Sequence, residues 1–84
     1  MSTVHTVTNS GWTQILPASN KSYASIPGHL TVRFQYGSDP GAGIETGQPA
    51  QGPKDTISGL VDEVCWARIA PGGPDSGIVL QHGS

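Results

Sequence analysis

Residues 30–36 place the first constraint on this chain: Leu30, Val32, Phe34 and Tyr36 alternate with Thr31, Arg33 and Gln35. A period of two sends successive side chains to opposite faces of a strand, giving the segment one apolar and one polar face. Pro27-Gly28 before it and Gly37-Ser38-Asp39-Pro40 after it supply turn chemistry at both ends. The segment is predicted to be a strand.

Residues 64–70 give a second strand, with Val64 and Trp66 on one face and Cys65, Ala67 and Ile69 on the other. Apolar residues on both faces suit a central strand or one covered by a neighbouring subunit. Leu60, Val61, Val64 and Ala67 approximate helical spacing, but β-branched and aromatic residues dominate and favour a strand. Ile78-Val79-Leu80 follows the Pro71-Gly72-Gly73-Pro74-Asp75 turn, and the two segments read as a hairpin with a long Gly-rich connection. Thr3 to Thr8 and Trp12 to Leu16 are weaker strands around the turn Asn9-Ser10-Gly11, and 22–26 and 56–60 are further short ones. Residues 37–55, rich in Gly and Pro, read as a long loop of the kind that binds a partner or is ordered by one. Short strands with turns between them predict an all-β domain spanning residues 1–84. Its architecture is a small β-sandwich, jelly-roll-like fold or partly open barrel of six to seven strands. Residues 1–9 are available as an N-terminal arm.

A chain of 84 residues holds one core and buries roughly 60–65% of its unfolded surface, a thin margin without staples. Cys65 is the single cysteine, so no disulfide forms within the chain and a reducing site of assembly fits it. Charged residues make up 12% of the chain, against ~25% in ordinary soluble domains, and net charge is only −2. Surfaces so poor in Lys, Glu and Asp resemble interfaces, so self-association is the expected source of missing stability. Lys21, Arg33, Lys54 and Arg68 are scattered, which argues against nucleic acid. No apolar stretch approaches the ~20 residues of a bilayer span, and Met1 to Thr6 lacks the basic start and apolar run of a signal peptide. Neither a nucleic acid nor a membrane is an expected partner.

No enzymatic constellation emerges. His5, His29 and His82 have no carboxylate or second imidazole at a ligand spacing. Cys65, between Val64 and Trp66, reads as a buried inert thiol. Asp62 and Glu63 are adjacent, so on a strand they point apart and cannot flank one scissile bond. Gly41-Ala42-Gly43 with Gly47 lacks the spacing, helix and lysine of a phosphate loop. The expectation is no catalytic residue, no cofactor and no metal. Trp66 and, after it, Trp12 are expected in the core, and Tyr23 is more open to an interface role.

The order of these features resembles small structural proteins of tailed bacteriophages. The likeness runs from Gly11-Trp12-Thr13-Gln14, through the alternating strand Leu30 to Pro40 and a Gly/Pro loop, to Val64-x-Trp66-Ala67-Arg68 and Ile78-Val79-Leu80. It covers most of residues 11–81 through short motifs, and the interrupted strand at Ala24 and Ile26 departs from it. The resemblance implies a virion subunit, assembled in the host cytoplasm, that decorates a capsid or builds a tail or fibre, commonly as a homo-trimer. Its partners would be itself and a capsid or tail protein. Trp12, Tyr23 and, within the loop, Asp39, Ile44 and Glu45 are the interface candidates. The alternative is a receptor- or carbohydrate-binding module of a tail or fibre, for which Tyr23, Tyr36 and His29 could supply sugar contacts. An enzyme ranks third.

Overall fold

The alternating segments do become strands, and they assemble by wrapping distant parts of the chain together. The computed structural model describes residues 2–37 and 47–83. Among these lie eight strands: β1 (Ser2–Thr8), β2 (Thr13–Leu16), β3 (Tyr23–Ser25), β4 (Thr31–Tyr36), β5 (Gln48–Gln51), β6 (Thr56–Ser58), β7 (Cys65–Ile69) and β8 (Ser76–His82). They form two four-stranded antiparallel sheets, ordered β1-β8-β3-β6 and β2-β7-β4-β5, here sheet A and sheet B.

The order has a simple origin. β1 pairs with β8, β2 with β7, β3 with β6 and β4 with β5, all antiparallel. That is one long hairpin folded about the β4–β5 connection. Rolling it up adds the β3–β8 and β4–β7 pairings and splits the ribbon into two sheets. The result is the eight-stranded jelly roll.

Every strand contributes to the layer between the sheets. Val7, Ala24, Ile57 and Val79 face inward from sheet A, and Ile15, Val32, Ala50 and Ile69 from sheet B, all essentially buried. Ile15 and Leu16 are adjacent yet both buried, because the β2–β7 register shifts between Gln14 and Leu16. A bulge of this kind re-aims a side chain that strict alternation would leave outside. Tyr36 ties the layers together: its hydroxyl donates to the Ser58 carbonyl of β6 across the sandwich (2.5 Å).

Four sequence expectations need correction. The 37–55 loop contains β5; Pro49 hides that strand in the sequence, but it sits on a sheet edge, where a missing N–H is tolerated. Residues 38–46 lie outside the described residues. The two segments read as a hairpin, β7 and β8, instead belong to different sheets: β7 pairs with β2 and β4, and β8 with β1 and β3. Residues 2–8 are no free arm but an edge strand paired with β8 over its whole length. Finally, neither tryptophan is in the core: with Cys65, Ala67 and Ile69 turned inward, alternation sends Trp66 outward.

Candidate interaction surface

Sheet A contains no Asp, Glu, Lys or Arg in any of its four strands. Its inward face is filled by Val7, Val79, Ala24 and Ile57, so their neighbours in sequence form the outward face. Register places Val4 opposite Leu80, Thr6 opposite Ile78, and Tyr23 opposite both His82 and Ser58. On that face Val4 is 60%, Tyr23 46% and Ile78 41% exposed. The outer wall is thus uncharged, with β-branched and aromatic side chains open to solvent between small hydroxyls. Large exposed apolar side chains scattered singly mean little, but grouped on one sheet face without a charge they mark an interaction surface.

Two imidazoles stiffen this sheet. The Tyr23 and His82 rings stack with centroids 4.8 Å apart and planes at 19°. His82 Nε2 shares a 2.8 Å hydrogen bond with the Ser25 hydroxyl. At the rim, His5 Nε2 and Gln81 Oε1 are 2.7 Å apart across the β1–β8 ladder. Ser25 and His82 are two parts of a nucleophile–base pair. They stand on an open sheet face without an orienting carboxylate in hydrogen-bond contact among the described residues, which a working pair requires. Their geometry suits a rigid aromatic and hydroxyl platform.

Sheet B presents a different outer face. Arg33 and Arg68 are direct cross-strand neighbours on β4 and β7. Arg68 is buried although it points away from the core. The Trp12 ring covers it, 5.7 Å from the guanidinium carbon to the ring centroid, and the Asn9 carbonyl accepts from its Nη2. Arg33 Nη1 donates to the Gly47 carbonyl (3.1 Å), and Trp66 Nε1 donates to the Gly37 carbonyl (2.8 Å). Trp12 is half-buried, and its indole N–H has no acceptor among the described residues. It is a lid on an arginine, which is why a large aromatic at the start of β2 is absent from the core.

The interface candidates therefore divide. Tyr23 lies on the outer face of sheet A and Trp12 on that of sheet B, so the fold does not bring them together. Asp39, Ile44 and Glu45 lie outside the described residues. The proposed sugar contacts do not converge either. Tyr36 packs against the core, and His29 lies in the β3–β4 turn. There it borders two hollows, one of about 400 Å³ lined with Pro27, Leu30 and Ile78 and one of about 250 Å³ beside Pro71 and Pro74. Sequence reasoning missed the sheet A face. Its one available signal was the lack of any ionic residue in both 2–8 and 76–82, which becomes a surface only once β1 and β8 are known to pair.

Burial governs the buried titratable groups. It pushes the Cys65 thiol up to about 12, in keeping with an unreactive core cysteine. It raises the Tyr36 phenol too, with the nearby Cys65 acting in the same direction. Among the described residues no group of three or more His, Cys, Asp and Glu is placed to hold a metal ion, and no helix is long and apolar enough to cross a membrane. Comparison with protein-family models, curated proteins and solved structures finds no match.

Proposed function

We propose that this chain is a non-enzymatic structural subunit of a virion, a capsid decoration or cement protein that binds the shell as a homo-oligomer. The observation that carries the reading is the outer face of sheet A, free of Asp, Glu, Lys and Arg, on which Val4, Tyr23 and Ile78 stand exposed among serine and threonine hydroxyls. A domain of 84 residues with this little ionic surface gains stability by burying such a face against other chains. The phage-like order of motifs supplies the virion part of the reading. The jelly roll is consistent with it by analogy, since capsid domains use that fold, but lectins use it too. Repeated sites on a shell turn modest subunit affinity into strong retention when the subunits are linked.

The test has two parts. Light scattering across micromolar concentrations is expected to show an oligomer, and proteomics of purified particles to find the chain in fixed ratio to the shell protein. A chain that is monomeric throughout and missing from particles refutes the proposal. A receptor- or carbohydrate-binding module is the second reading, supported by the exposed Tyr23–His82 stack among serine and threonine hydroxyls. Binding on a glycan array that Tyr23→Ala abolishes is its signature, and an array without a hit removes it.

A further inference from the structure

The four edges of the two sheets are not protected alike. In sheet A, β6 is an edge of three residues. In sheet B, β2 has four residues and a register shift, and β5 has four with Pro49 among them. Brevity, bulges and prolines are the devices by which proteins keep edges from pairing. The remaining edge, β1, has none of them. It is seven residues long, Ser-Thr-Val-His-Thr-Val-Thr, without proline, glycine or formal charge. Among the described residues no strand pairs with its other side.

The orientation of its backbone follows from one bond. Asn9 N–H donates to the Asp75 carbonyl (3.1 Å), one step beyond the Thr8–Ser76 pair. In an antiparallel ladder, residues that exchange both bonds with the neighbour alternate with residues that exchange none. Val7, His5 and Thr3 therefore turn their amides and carbonyls toward β8. Ser2, Val4, Thr6 and Thr8 turn theirs outward, in line with the uncharged face that their side chains also line.

We infer that β1 is a self-association edge, and that its occupant is β1 of a second copy of this chain, antiparallel across a two-fold axis. The strand is complementary to itself. With His5 opposite its own symmetry mate, Ser2 meets Thr8, Val4 meets Thr6 and Thr3 meets Val7, so every pair apart from the central histidines is small or β-branched. Inward residues then meet inward residues, and the two A sheets continue as one of eight strands. All four outward-turned residues find partners in this register, and no Asp, Glu, Lys or Arg stands in the strand to oppose it. The edge is about 24 Å long at ~3.4 Å per residue, and a strand edge one sheet layer deep, ~10 Å, covers on the order of 240 Å² on each copy. That is small for a permanent dimer, so weak, concentration-dependent association is expected. The inference rests on the self-association part of the proposed function and specifies its symmetry: a two-fold in place of the trimer that the resemblance implies.

Sedimentation velocity from about 1 to 500 µM tests it on the full chain, with circular dichroism confirming that each variant is folded. Thr6→Pro removes only an outward N–H and suits an edge strand, and Val4→Lys puts a charge on an already exposed position. The wild type is expected to form dimers, and both variants to weaken dimerisation at least tenfold while keeping the wild-type melting temperature at the lowest concentration. As a readout of register, His5→Cys is expected to cross-link two chains under mild oxidation, while Thr3→Cys, opposite Val7, is not. Variants that dimerise like the wild type, or a wild-type trimer, overturn the β1 pairing and leave the oligomeric reading standing. A wild type monomeric up to 500 µM overturns both.

Discussion

Ile69 and Ile78 offer a controlled comparison, because the same truncation is made in two environments. Ile69 is on the central strand β7 and 1% exposed; Ile78 is on β8, faces outward and is 41% exposed. The Ile69 side chain fills the end of the core, close enough to Gly73 and Gly77 that a β-carbon on either would crowd it. Ile69→Ala removes three carbons, about 2.4 kcal/mol of transfer free energy at ~0.8 kcal/mol per methylene. The cavity left behind raises the expected loss to about 3–4 kcal/mol. A chain of this length has a total stability of roughly 4–13 kcal/mol, so this one change removes between a quarter and nearly all of it. The melting temperature is expected to fall by about 12–30 °C. Ile78→Ala is expected to lose under ~1 kcal/mol, since water already reaches much of that side chain. Urea unfolding followed by circular dichroism measures both, at about 1 µM so that association adds little. Equal losses, or less than ~1 kcal/mol at Ile69, would refute the assignment of inward and outward faces on which the interaction surface depends.

Further expectations concern the contacts that fix the layers. Gly59→Ala places a β-carbon against the Ser19 carbonyl and the Ser22 hydroxyl and is expected to cost about 1–3 kcal/mol or more in urea unfolding; Gly28→Ala, which meets nothing within 4 Å, is the neutral control. Tyr36→Phe deletes the hydrogen bond to Ser58 between the sheets and is expected to cost about 0.5–1.5 kcal/mol by the same assay. Trp12→Ala uncovers Arg68 and is expected to destabilise by about 1–3 kcal/mol, with Trp12→Phe recovering most of the loss. Cys65 is expected to resist thiol reagents at pH 8 until the chain unfolds. Above pH 9 the unfolded chain releases the thiol proton that the native chain keeps up to about 12. Stability therefore falls as pH rises through that window, by at most about 1.4 kcal/mol per pH unit. A flat profile there, or rapid native labelling, would place the thiol outside the core.

The sequence made the strands legible where one face is greasy and the ends are punctuated. β4 and β7 were readable because their inward residues alternate cleanly and Gly or Pro stops them. β5 was not, since Pro49 and flanking glycines look like loop until an edge position excuses them. Sheet assignment was not readable either: β7 and β8 are neighbours along the chain, but β8 pairs with β1, whose residues are the most distant in sequence. Trp66 misled because size suggested burial, whereas parity with Cys65 decided its direction. The candidate surface shared this fate, being made of two charge-free segments whose juxtaposition no local pattern encodes.

The position of β8 has a consequence for how the molecule comes into being. Of the described strands β8 is made last, yet it is the neighbour that both β1 and β3 require. At a synthesis rate of about 5–20 residues per second, the roughly seventy residues between Thr8 and Ser76 take several seconds to appear. Throughout that interval the nascent chain carries the β1 segment without the β8 partner it pairs with in the fold. The inferred β1 pairing predicts that sibling chains crowded on one polysome entangle more readily than finished domains do.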